Sequence, residues 1–554
     1  MLENLIPVTA QDAVADDPLL TAKIQGICVD SGYVITRWSD VRIAVAAVSY
    51  EALRTPRVPD VGFFYSSPCF LYSGCPESMI EMFEPTAGRV DVNRAVALPH
   101  WHCQNWRCVF ICSAFCPGDP IMVRSSGRRH FLKSAAFACT AATFSRSSYA
   151  RIAGANERLK IGAIGVGGRG AGDLDAVSSE NITALCDVDA DRLGAAATRH
   201  PQAKKYADYR QLLEQTDLEA VVVATPDHHH APATVRALRR GLHVYCEKPL
   251  THTVEEARLI SALTREKKVA TQMGTQNHEH PGYLRLVELL QSGAIGDVQE
   301  VHVITDRPGK WWPQGMDRPT ETAAVPGALN WDLWLGPAAE RPYHPAYVPF
   351  KWRGWWDFGC GAVGDMAIHL ADPAFWALRL GGRVKVTSQG PAPSLWSAPA
   401  WMETKFEFGQ RGDLPPVTLY WYEGETKPKP EIAAELPMNG SLFIGSKGRI
   451  AIAHDGFPKL LPEAQFADFK APAPSLPESP GHHRQWLDAC RTGARTGSAF
   501  AYAAPFTEIV LLANVAYRSG QTIEFDQETG RILNAPAAEK YLSREYRRGW
   551  EITG

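Results

Sequence analysis

A glycine-rich turn directly after a short apolar strand constrains this chain more than any other feature. The strand covers residues 159–164, and the turn, GVGGRG over residues 165–170, leads into a helix-compatible stretch that ends at Ser178. In the spacing G-x-G-x-x-G, the first glycine permits a tight turn, the second lets backbone approach a pyrophosphate, and the third lets helix pack on strand. The N–H groups of the new helix favour phosphate charge. The pattern predicts a dinucleotide-binding turn.

A carboxylate follows the second apolar run of the chain. Residues 182–186 form this run, and Asp187 comes next, twenty-two residues after Gly165. A carboxylate at this point accepts hydrogen bonds from a ribose diol and repels a 2′-phosphate, which favours NAD over NADP. Arg169 and Arg192 keep NADP as the alternative, and a helix N-cap is the structural alternative for Asp187.

Strand-like and helix-like segments alternate over the residues that follow. The strand-like runs lie at 219–224, 242–246 and 269–272, and the helix-like segments at 231–240 and 254–267. Successive parallel strands need crossover helices, so this order predicts an α/β domain with a doubly wound, parallel Rossmann sheet. Ligands bind such sheets at the carboxyl ends of the strands. Thr225-Pro226 and Glu247-Lys248-Pro249 fall at two of those ends.

Two groups of residues are candidates for acid/base chemistry. Lys248 ends a buried strand, where an ammonium group can hydrogen-bond a substrate hydroxyl and favour the alkoxide. Asp365 and His369 are four residues apart and would share a helix face. Imidazole accepts protons near neutral pH, and Asp365 or Asp372 would orient the ring. Alcohol oxidation is therefore predicted, with metal binding or an ordinary polar helix as alternatives.

In this order and separation, the motifs closely resemble the glucose-fructose oxidoreductase / inositol dehydrogenase family (Gfo/Idh/MocA). The resemblance extends from about residue 158 to the C-terminus and implies an NAD(P)-dependent oxidoreductase of sugars or polyols. It implies that Lys248 contacts the reacting hydroxyl, His369 accepts its proton and Asp365 assists. The residues predicted to bind the cofactor are Gly165, Gly167, Gly168, Arg169, Gly170, Asp187, Thr225, Pro226, His230, Glu247 and Lys248.

The resemblance also implies a second α/β domain with an open, mostly antiparallel sheet. Strand-like runs that fit such a sheet lie at 298–305, 401–408, 417–422 and 441–444. We expect the Rossmann domain at residues 158–280 and the substrate-binding and oligomerisation domain at 281–554. A homodimer or homotetramer is expected. Some of the tryptophans between Trp311 and Trp356, together with His278, His280 and Tyr283, are candidates to face the substrate.

The residues before the first strand differ from the rest of the chain in cysteine content and in the arrangement of basic and apolar residues. Residues 1–121 hold seven of the twelve cysteines, whereas residues 122–157 have the layout of a twin-arginine export signal. The signal consists of the pair Arg128-Arg129, a short apolar run over residues 134–144 and a polar end. We expect translation to start at Met122, with residues 1–121 a non-native upstream extension or an unrelated appendage, and the product to reach the periplasm. The alternative is a chance basic pair and a cytoplasmic protein.

Composition narrows the possible partners. A net charge of −3 over 554 residues provides no basic excess for nucleic acid. The apolar part of the signal is shorter than the ~20 residues of a membrane span, so we expect no stable membrane insertion. The cysteines and histidines of residues 100–116 lack the paired spacing of zinc sites, and no metal is predicted.

A small carbohydrate is the expected substrate, and NAD the expected cofactor. The same motifs are compatible with two other functions. One is an NAD-dependent glycosidase or epimerase that forms a transient keto sugar with no net redox change. The other is a non-catalytic sensor that binds the dinucleotide.

Overall fold

The structure of the protein, a computed structural model, describes residues 158–552. Three predictions fall outside the described residues. They concern the twin-arginine signal with its start at Met122, the extension of residues 1–121, and the cysteine and histidine cluster of residues 100–116.

The first sheet contains six parallel strands in the order β3-β2-β1-β4-β5-β6. The strands are β1 (Lys160–Ile164), β2 (Asn181–Cys186), β3 (Lys204–Tyr206), β4 (Ala220–Val223), β5 (His243–Glu247) and β6 (Thr271–Gly274). This order confirms the predicted doubly wound α/β architecture. Strand β3 was not predicted, because its three residues include the exposed Lys204 and Lys205 and therefore form no apolar run.

Helices cover both faces of this sheet. They are Arg169–Ala176, Ala190–Arg199, Tyr209–Leu212, Asp227–Arg239 and Val254–Glu266. The fourth begins four residues before its predicted start at Ala231, and residues 228–230 are three buried histidines within it. Three consecutive histidines do not form the apolar pattern from which a buried helix is predicted. They are buried because of their contacts with distant parts of the chain.

The second sheet has nine strands in the order β13-β12-β11-β7-β10-β9-β8-β14-β15. They are β7 (Val298–Thr305), β8 (Arg383–Gln389), β9 (Met402–Phe408), β10 (Val417–Glu423), β11 (Gly440–Gly445), β12 (Gly448–Ala453), β13 (Lys459–Leu461), β14 (Ile523–Asp526) and β15 (Arg531–Ile532). Only β7 and β10 pair in parallel, so the sheet is mostly antiparallel, as expected. Strands β8, β12, β13, β14 and β15 were not predicted, because they are short or carry charged residues.

Helical segments of varied length connect the strands of this part of the chain. The α-helical segments are Pro281–Gln291, Arg307–Lys310, Trp331–Leu335, Ile368–Leu370, Asp372–Leu378, Pro430–Ala433, His482–Thr492 and Phe500–Ser519. Segments Gln276–Glu279, Lys351–Gly354, Glu463–Phe466 and Pro536–Tyr541 are 3₁₀ turns, and Val363–Ala367 is a π-helical turn.

The last two long helices return to the first sheet. Trp486 and Leu487 belong to the same apolar cluster as Ile161 of β1, and the N–H of Met273 donates to the carbonyl of Ser498 at 2.9 Å. The helix Phe500–Ser519 packs against Val254–Glu266. By length and composition it could cross a membrane, but 78% of its apolar stretch is buried inside the protein.

The glycine turn shows the close approaches that its sequence implies. Gly165 has φ +80°, and a Cβ there would lie 2.6 Å from the carbonyl oxygen of Ala224. A Cβ on Gly170 would lie 1.8 Å from the carbonyl oxygen of Gly165. Backbone therefore occupies the space that a side chain would need, and the third glycine allows the helix to pack against the turn.

This contact predicts opposite effects for two alanine substitutions in one helix. Gly170→Ala should lower the free energy of unfolding by about 1–3 kcal/mol, because the new methyl group meets fixed backbone. Gly172→Ala is the control, since a Cβ there meets nothing within 4 Å. It should raise stability by about 0.5–1 kcal/mol through helix propensity. Urea unfolding of both variants measures this, and equal effects would contradict the packing role of Gly170.

Candidate active site

A cavity of about 730 Å³ lies along the carboxyl ends of strands β1, β2, β4 and β5. Most of the residues predicted for the site line it. They are Gly165, Gly167, Gly168, Arg169, Asp187, Thr225, Pro226, Glu247, Lys248, Asp365 and His369. Gly170 and His230 do not line the cavity, so the prediction of direct cofactor contact is not supported for these two residues.

The glycine turn forms one end of the cavity and has the shape of a phosphate cradle. Gly168 has φ +55° and a Cβ there would meet nothing within 4 Å, so its backbone faces open space. No side chain caps the first turn of the helix Arg169–Ala176, and that turn carries no acidic residue. Uncapped N–H groups and a positive helix end favour an anion. These residues fit the pyrophosphate of a dinucleotide.

Asp187 links the glycine turn to the end of β2. Its Oδ2 accepts a hydrogen bond from the N–H of Val166 at 3.0 Å, and its Oδ1 accepts one from the N–H of Asp189 at 3.0 Å. Each carboxylate oxygen keeps a second lone pair that a ribose hydroxyl can use. Burial raises the pKa of Asp187, whereas these N–H groups lower it. The N-cap of the next helix is Asp189, so the N-cap alternative for Asp187 was wrong.

Glu247 contacts the glycine turn through Arg169. Its Oε1 accepts hydrogen bonds from Arg169 Nε at 3.1 Å and from Gln276 Nε2 at 2.7 Å. Arg169 also pairs with the buried Asp173 at 2.7 Å. Burial, and then Asp173, raise the pKa of Glu247 to about 7. Glu247 therefore joins the end of β5 to the start of the first helix.

His230 holds two loops of the site together, although it does not reach the cavity. Its Nδ1 lies 2.6 Å from the carbonyl oxygen of Pro249, and its Nε2 lies 2.8 Å from that of Thr225. The ring is 1% exposed, and burial lowers its pKa to about 4. The sequence places His230 one helical turn after Pro226 but does not show that its ring points into the protein. Its role is positional.

An ion-pair cluster at the other end of the cavity consists of the buried Asp365 and two partly buried cations, Lys248 and Arg353. Lys248 Nζ donates to Asp365 Oδ1 at 2.7 Å, and Arg353 Nε donates to Asp365 Oδ2 at 2.9 Å. Burial alone would raise the pKa of Asp365, but the two cations hold it well below its usual value. Asp365 is therefore ionised and fixes the position of both cations.

His369 lies beside this cluster but is not oriented by a carboxylate. Its Nδ1 lies 3.4 Å from Thr275 Oγ1, and that hydroxyl donates to the carbonyl of Ile368 at 3.2 Å. The hydroxyl oxygen can therefore accept the Nδ1 proton, which leaves Nε2 as the acceptor nitrogen. Burial, followed by the charge of Lys248, lowers the pKa of His369 well below its usual value. The ring is neutral near neutral pH.

The two aspartates proposed to orient His369 have other partners. Asp372 is buried and accepts hydrogen bonds from His278 at 2.8 Å and from Tyr502 at 2.6 Å. Both oxygens of Asp365 are used by Lys248 and Arg353. The expectation assumed an α-helix, whereas Asp365 lies in a π-helical turn with a different residue spacing.

The aromatic residues divide between the core and the site. Trp312, Trp355 and Trp356 are buried in apolar clusters, whereas Trp334 and Trp352 also line the cavity. His278, His280 and Tyr283 do not line it. Within residues 158–552, no three His, Cys, Asp or Glu side chains are arranged to bind a metal ion.

Three features of the site were not predicted. Thr275 follows β6 directly, so the strand-end rule that drew attention to Thr225 could have found it. Arg353 lies between Trp352 and Trp355 in the sequence, and no motif there indicates a functional residue. Residues 328–330 pack against the segment that follows β2, beside Asp187: Ala190 N–H donates to Ala328 O, and Asn330 N–H donates to Val188 O, both at 2.8 Å, and Ala328 and Leu329 line the cavity.

Two family profiles match the described chain. Residues 159–275 match the NAD-binding Rossmann fold of the Gfo/Idh/MocA oxidoreductase family, and residues 285–408 match the C-terminal α/β domain of that family. Both matches agree with the two sheets. The first of the two is the profile of an NAD-binding domain.

Curated relatives match over a shorter part of the chain. Inositol 2-dehydrogenase of Salmonella paratyphi B is 35% identical over 150 residues, which are 26% of this chain and 45% of that protein. A glycosyl hydrolase family 109 protein of Saccharopolyspora erythraea is 34% identical over 157 residues, which are 26% of this chain and 34% of that protein. The chain thus spans half or less of the length of these relatives.

Solved structures match over a longer part of the chain at lower identity. The WlbA dehydrogenase of Bordetella pertussis, in complex with NADH and UDP-GlcNAcA, is 16% identical with a TM-score of 0.47. The match covers 66% of this chain and 98% of that structure.

The ion-pair cluster predicts a pH-dependent contribution to stability. The folded pKa of Asp365 lies below the unfolded value of about 3.9, so its contribution is present above that pH and is lost as the pH falls towards the folded pKa. Asp365→Asn should lower the free energy of unfolding by about 3–5 kcal/mol near neutral pH, because it leaves two largely buried cations without their anion. Below about pH 4 the difference from the wild type should shrink.

Urea unfolding of the full chain across this pH range measures the effect. Asp488→Asn is the control, since Asp488 is 41% exposed and its pair with Arg484 is worth about 0–1 kcal/mol. A difference that grows on acidification would show that the pKa of Asp365 is raised by folding.

Proposed function

We propose that the chain is a member of the Gfo/Idh/MocA oxidoreductase family and that it transfers a hydride between a hydroxyl-bearing carbon of a sugar or polyol and NAD. The observation that carries this proposal is that Lys248 and His369 line the same cavity as the glycine turn. A residue that follows β5 of the first sheet and a residue of the segment between β7 and β8 therefore meet at one groove. The same groove offers a phosphate cradle and a proton acceptor.

The cofactor half of the groove has partners for the pyrophosphate and for a ribose of NAD. The glycine turn and the first helix turn would hold the pyrophosphate, and Asp187 would accept from the ribose hydroxyls. Residues 328–330 would cover the ribose side. When bound, NAD supplies the hydride acceptor.

Oxidation of an alcohol to a ketone releases one hydride and one proton. His369 would take the hydroxyl proton at Nε2, the nitrogen that makes no hydrogen bond to a described residue. Lys248 would donate a hydrogen bond to the same oxygen and stabilise its developing negative charge. Asp365 keeps the ammonium group in place, since it accepts from Lys248 at 2.7 Å. The proton thus remains on His369 while the carbonyl forms.

A redox-neutral reaction is the second candidate function. The similarity to a glycosyl hydrolase family 109 protein favours it, at 34% identity over 157 residues. In that case the same residues would form a transient keto sugar, and return of the hydride would follow bond cleavage or inversion. Product analysis separates the two: a stable ketone indicates net oxidation, whereas a cleaved or epimerised sugar with no NADH indicates the neutral route.

We also propose export and oligomerisation. The residues Arg128-Arg129 with the following apolar run support twin-arginine export from a start at Met122. Peptide mapping of the native protein tests it, since a peptide from residues 1–121 would contradict that start. The family resemblance supports a homodimer or homotetramer, which light scattering can measure.

The acid/base assignment predicts a large loss of turnover for one histidine variant. His369→Ala should lower kcat by about 10²–10⁴-fold, because the proton acceptor is removed. NAD affinity should change little, since His369 lies away from the glycine turn and Asp187. Reduction of NAD at 340 nm and a fluorescence titration measure the two effects. His200→Ala, which lies outside the cavity, is the control and should keep full turnover; a similar loss in both variants would contradict the assignment.

Asp187 predicts the cofactor preference. Asp187→Asn keeps an oxygen that accepts a hydrogen bond but removes the charge that repels a 2′-phosphate. The ratio of NADP affinity to NAD affinity should rise by about 10-fold, equivalent to about 1.4 kcal/mol. Asp175→Asn is the control, because Asp175 is 59% exposed and lies outside the cavity. An unchanged ratio would show that another residue selects the cofactor.

A further inference from the structure

Three cationic side chains line the cavity near His369, but only one acidic side chain is ion-paired with any of them. The cations are Lys248, Arg307 and Arg353, and the carboxylate is Asp365, which pairs with Lys248 and Arg353. Arg307 forms no ion pair within residues 158–552. Its guanidinium carbon lies 4.0 Å from the ring centre of Trp311, which leaves its N–H groups free of an acidic partner.

The other titratable groups nearby do not offset this excess. Burial, followed by the charge of Asp365, raises the pKa of Asp227 to about 7, so its carboxyl is only partly ionised near neutral pH. Glu247 is matched by Arg169. Burial lowers the pKa of both His369 and His454, and both rings are neutral there. This end of the cavity therefore carries an excess of between one and two positive charges.

Arg353 is held in one orientation with part of its guanidinium unused. Its Nε donates to Asp365, and its Nη1 donates to the carbonyl oxygen of Phe350 at 3.2 Å. The guanidinium carbon lies 4.1 Å from the ring centre of Phe350 and 4.2 Å from that of Trp352. Nη2 makes no hydrogen bond within the described part of the chain. A fixed guanidinium loses little freedom when it binds a ligand.

We propose that this end of the cavity selects a carbohydrate that carries an anionic group, either a carboxylate or a phosphate, and that Arg307 and the free edge of Arg353 bind it. The inference rests on the proposed function, because it names the substrate class of that same site. Unmatched cations in a partly buried wall are unfavourable, and an anion that displaces their water gains charge-assisted hydrogen bonds. The planar guanidinium group suits both carboxylate and phosphate oxygens.

An anion at this point would also affect His369. Lys248 and Arg307 both lower the pKa of that ring, and a negative charge beside them acts in the opposite direction. The imidazole would then bind a proton more readily while the substrate is present. Substrate charge and proton acceptance are thereby coupled.

The test compares matched sugars on the full-length, NAD-loaded protein. Glucose, glucuronate and glucose 6-phosphate form one series, and galactose, galacturonate and galactose 6-phosphate form another. Calorimetry measures binding, and absorbance at 340 nm measures NAD reduction. In at least one series an anionic sugar should bind about 10–100-fold more tightly than the neutral one, as expected for charge-assisted hydrogen bonds. Comparison of the carboxylate with the phosphate identifies the preferred anion.

Arg307→Gln should remove most of that preference and raise KM more than it lowers kcat. Lys310→Gln is the matched control, since Lys310 lies three residues away, is 67% exposed and does not line the cavity. It should keep the preference. Added salt should weaken binding of the anionic sugar to the wild type and leave the neutral sugar unaffected, a readout that does not depend on any variant.

Equal binding of neutral and anionic sugars, or a preference that survives Arg307→Gln, would overturn the inference. If neutral sugars reduce NAD in that case, the proposed function stands. If an anionic sugar binds through Arg307 but no sugar is oxidised, cleaved or epimerised, the proposed function is wrong and the anion site stands.

Discussion

The carboxylate of Asp365 is the contact on which the site depends, because it holds cations from two parts of the chain at once. Lys248 follows the last residue of β5 in the parallel sheet, whereas Arg353 belongs to the loop between β7 and β8. Loss of this anion would leave two largely buried cations close together, which is unfavourable. The pairing therefore fixes the ammonium group next to His369 and joins the two sheets at the point where we place the chemistry.

Other polar contacts fix the first sheet to the segment between β7 and β8. The N–H of Cys360 donates to Asp227 at 3.0 Å, and His228 lies 3.2 Å from the carbonyl oxygen of Phe358. His228 and His229 both approach the carbonyl oxygen of Trp334, at 3.0 and 2.9 Å. The helix Asp227–Arg239 thus begins with side chains that satisfy backbone groups of the loop before the π-helical turn. A cavity built in this way presents its charged groups in fixed positions, and fixed charges are the basis of electrostatic catalysis.

The cationic side chains at the two ends of the cavity differ in whether a carboxylate neutralises them. Arg169 has Glu247 and Asp173 as partners beside the glycine turn, so that end is structurally neutralised and phosphate binding is left to backbone N–H groups. At the other end Arg307 has no carboxylate partner in the described chain. The same cavity can therefore hold a dinucleotide through its backbone and a substrate anion through its side chains.

Much of the fold and part of the site follow from local patterns in the sequence. The GVGGRG turn and the alternation of strands and helices determined the parallel sheet, because glycine spacing and apolar periodicity are local properties of the chain. They also determined which strand ends would carry Asp187 and Lys248. Only the tertiary structure decided the partners of these side chains. Asp365 binds Lys248 and Arg353 instead of orienting His369, and the hydroxyl of Thr275 lies beside the His369 ring in its place. His230 points into the protein rather than into the cavity. Contacts between side chains that are distant in the sequence depend on how the segments pack, and the spacing of residues within one segment does not determine that packing.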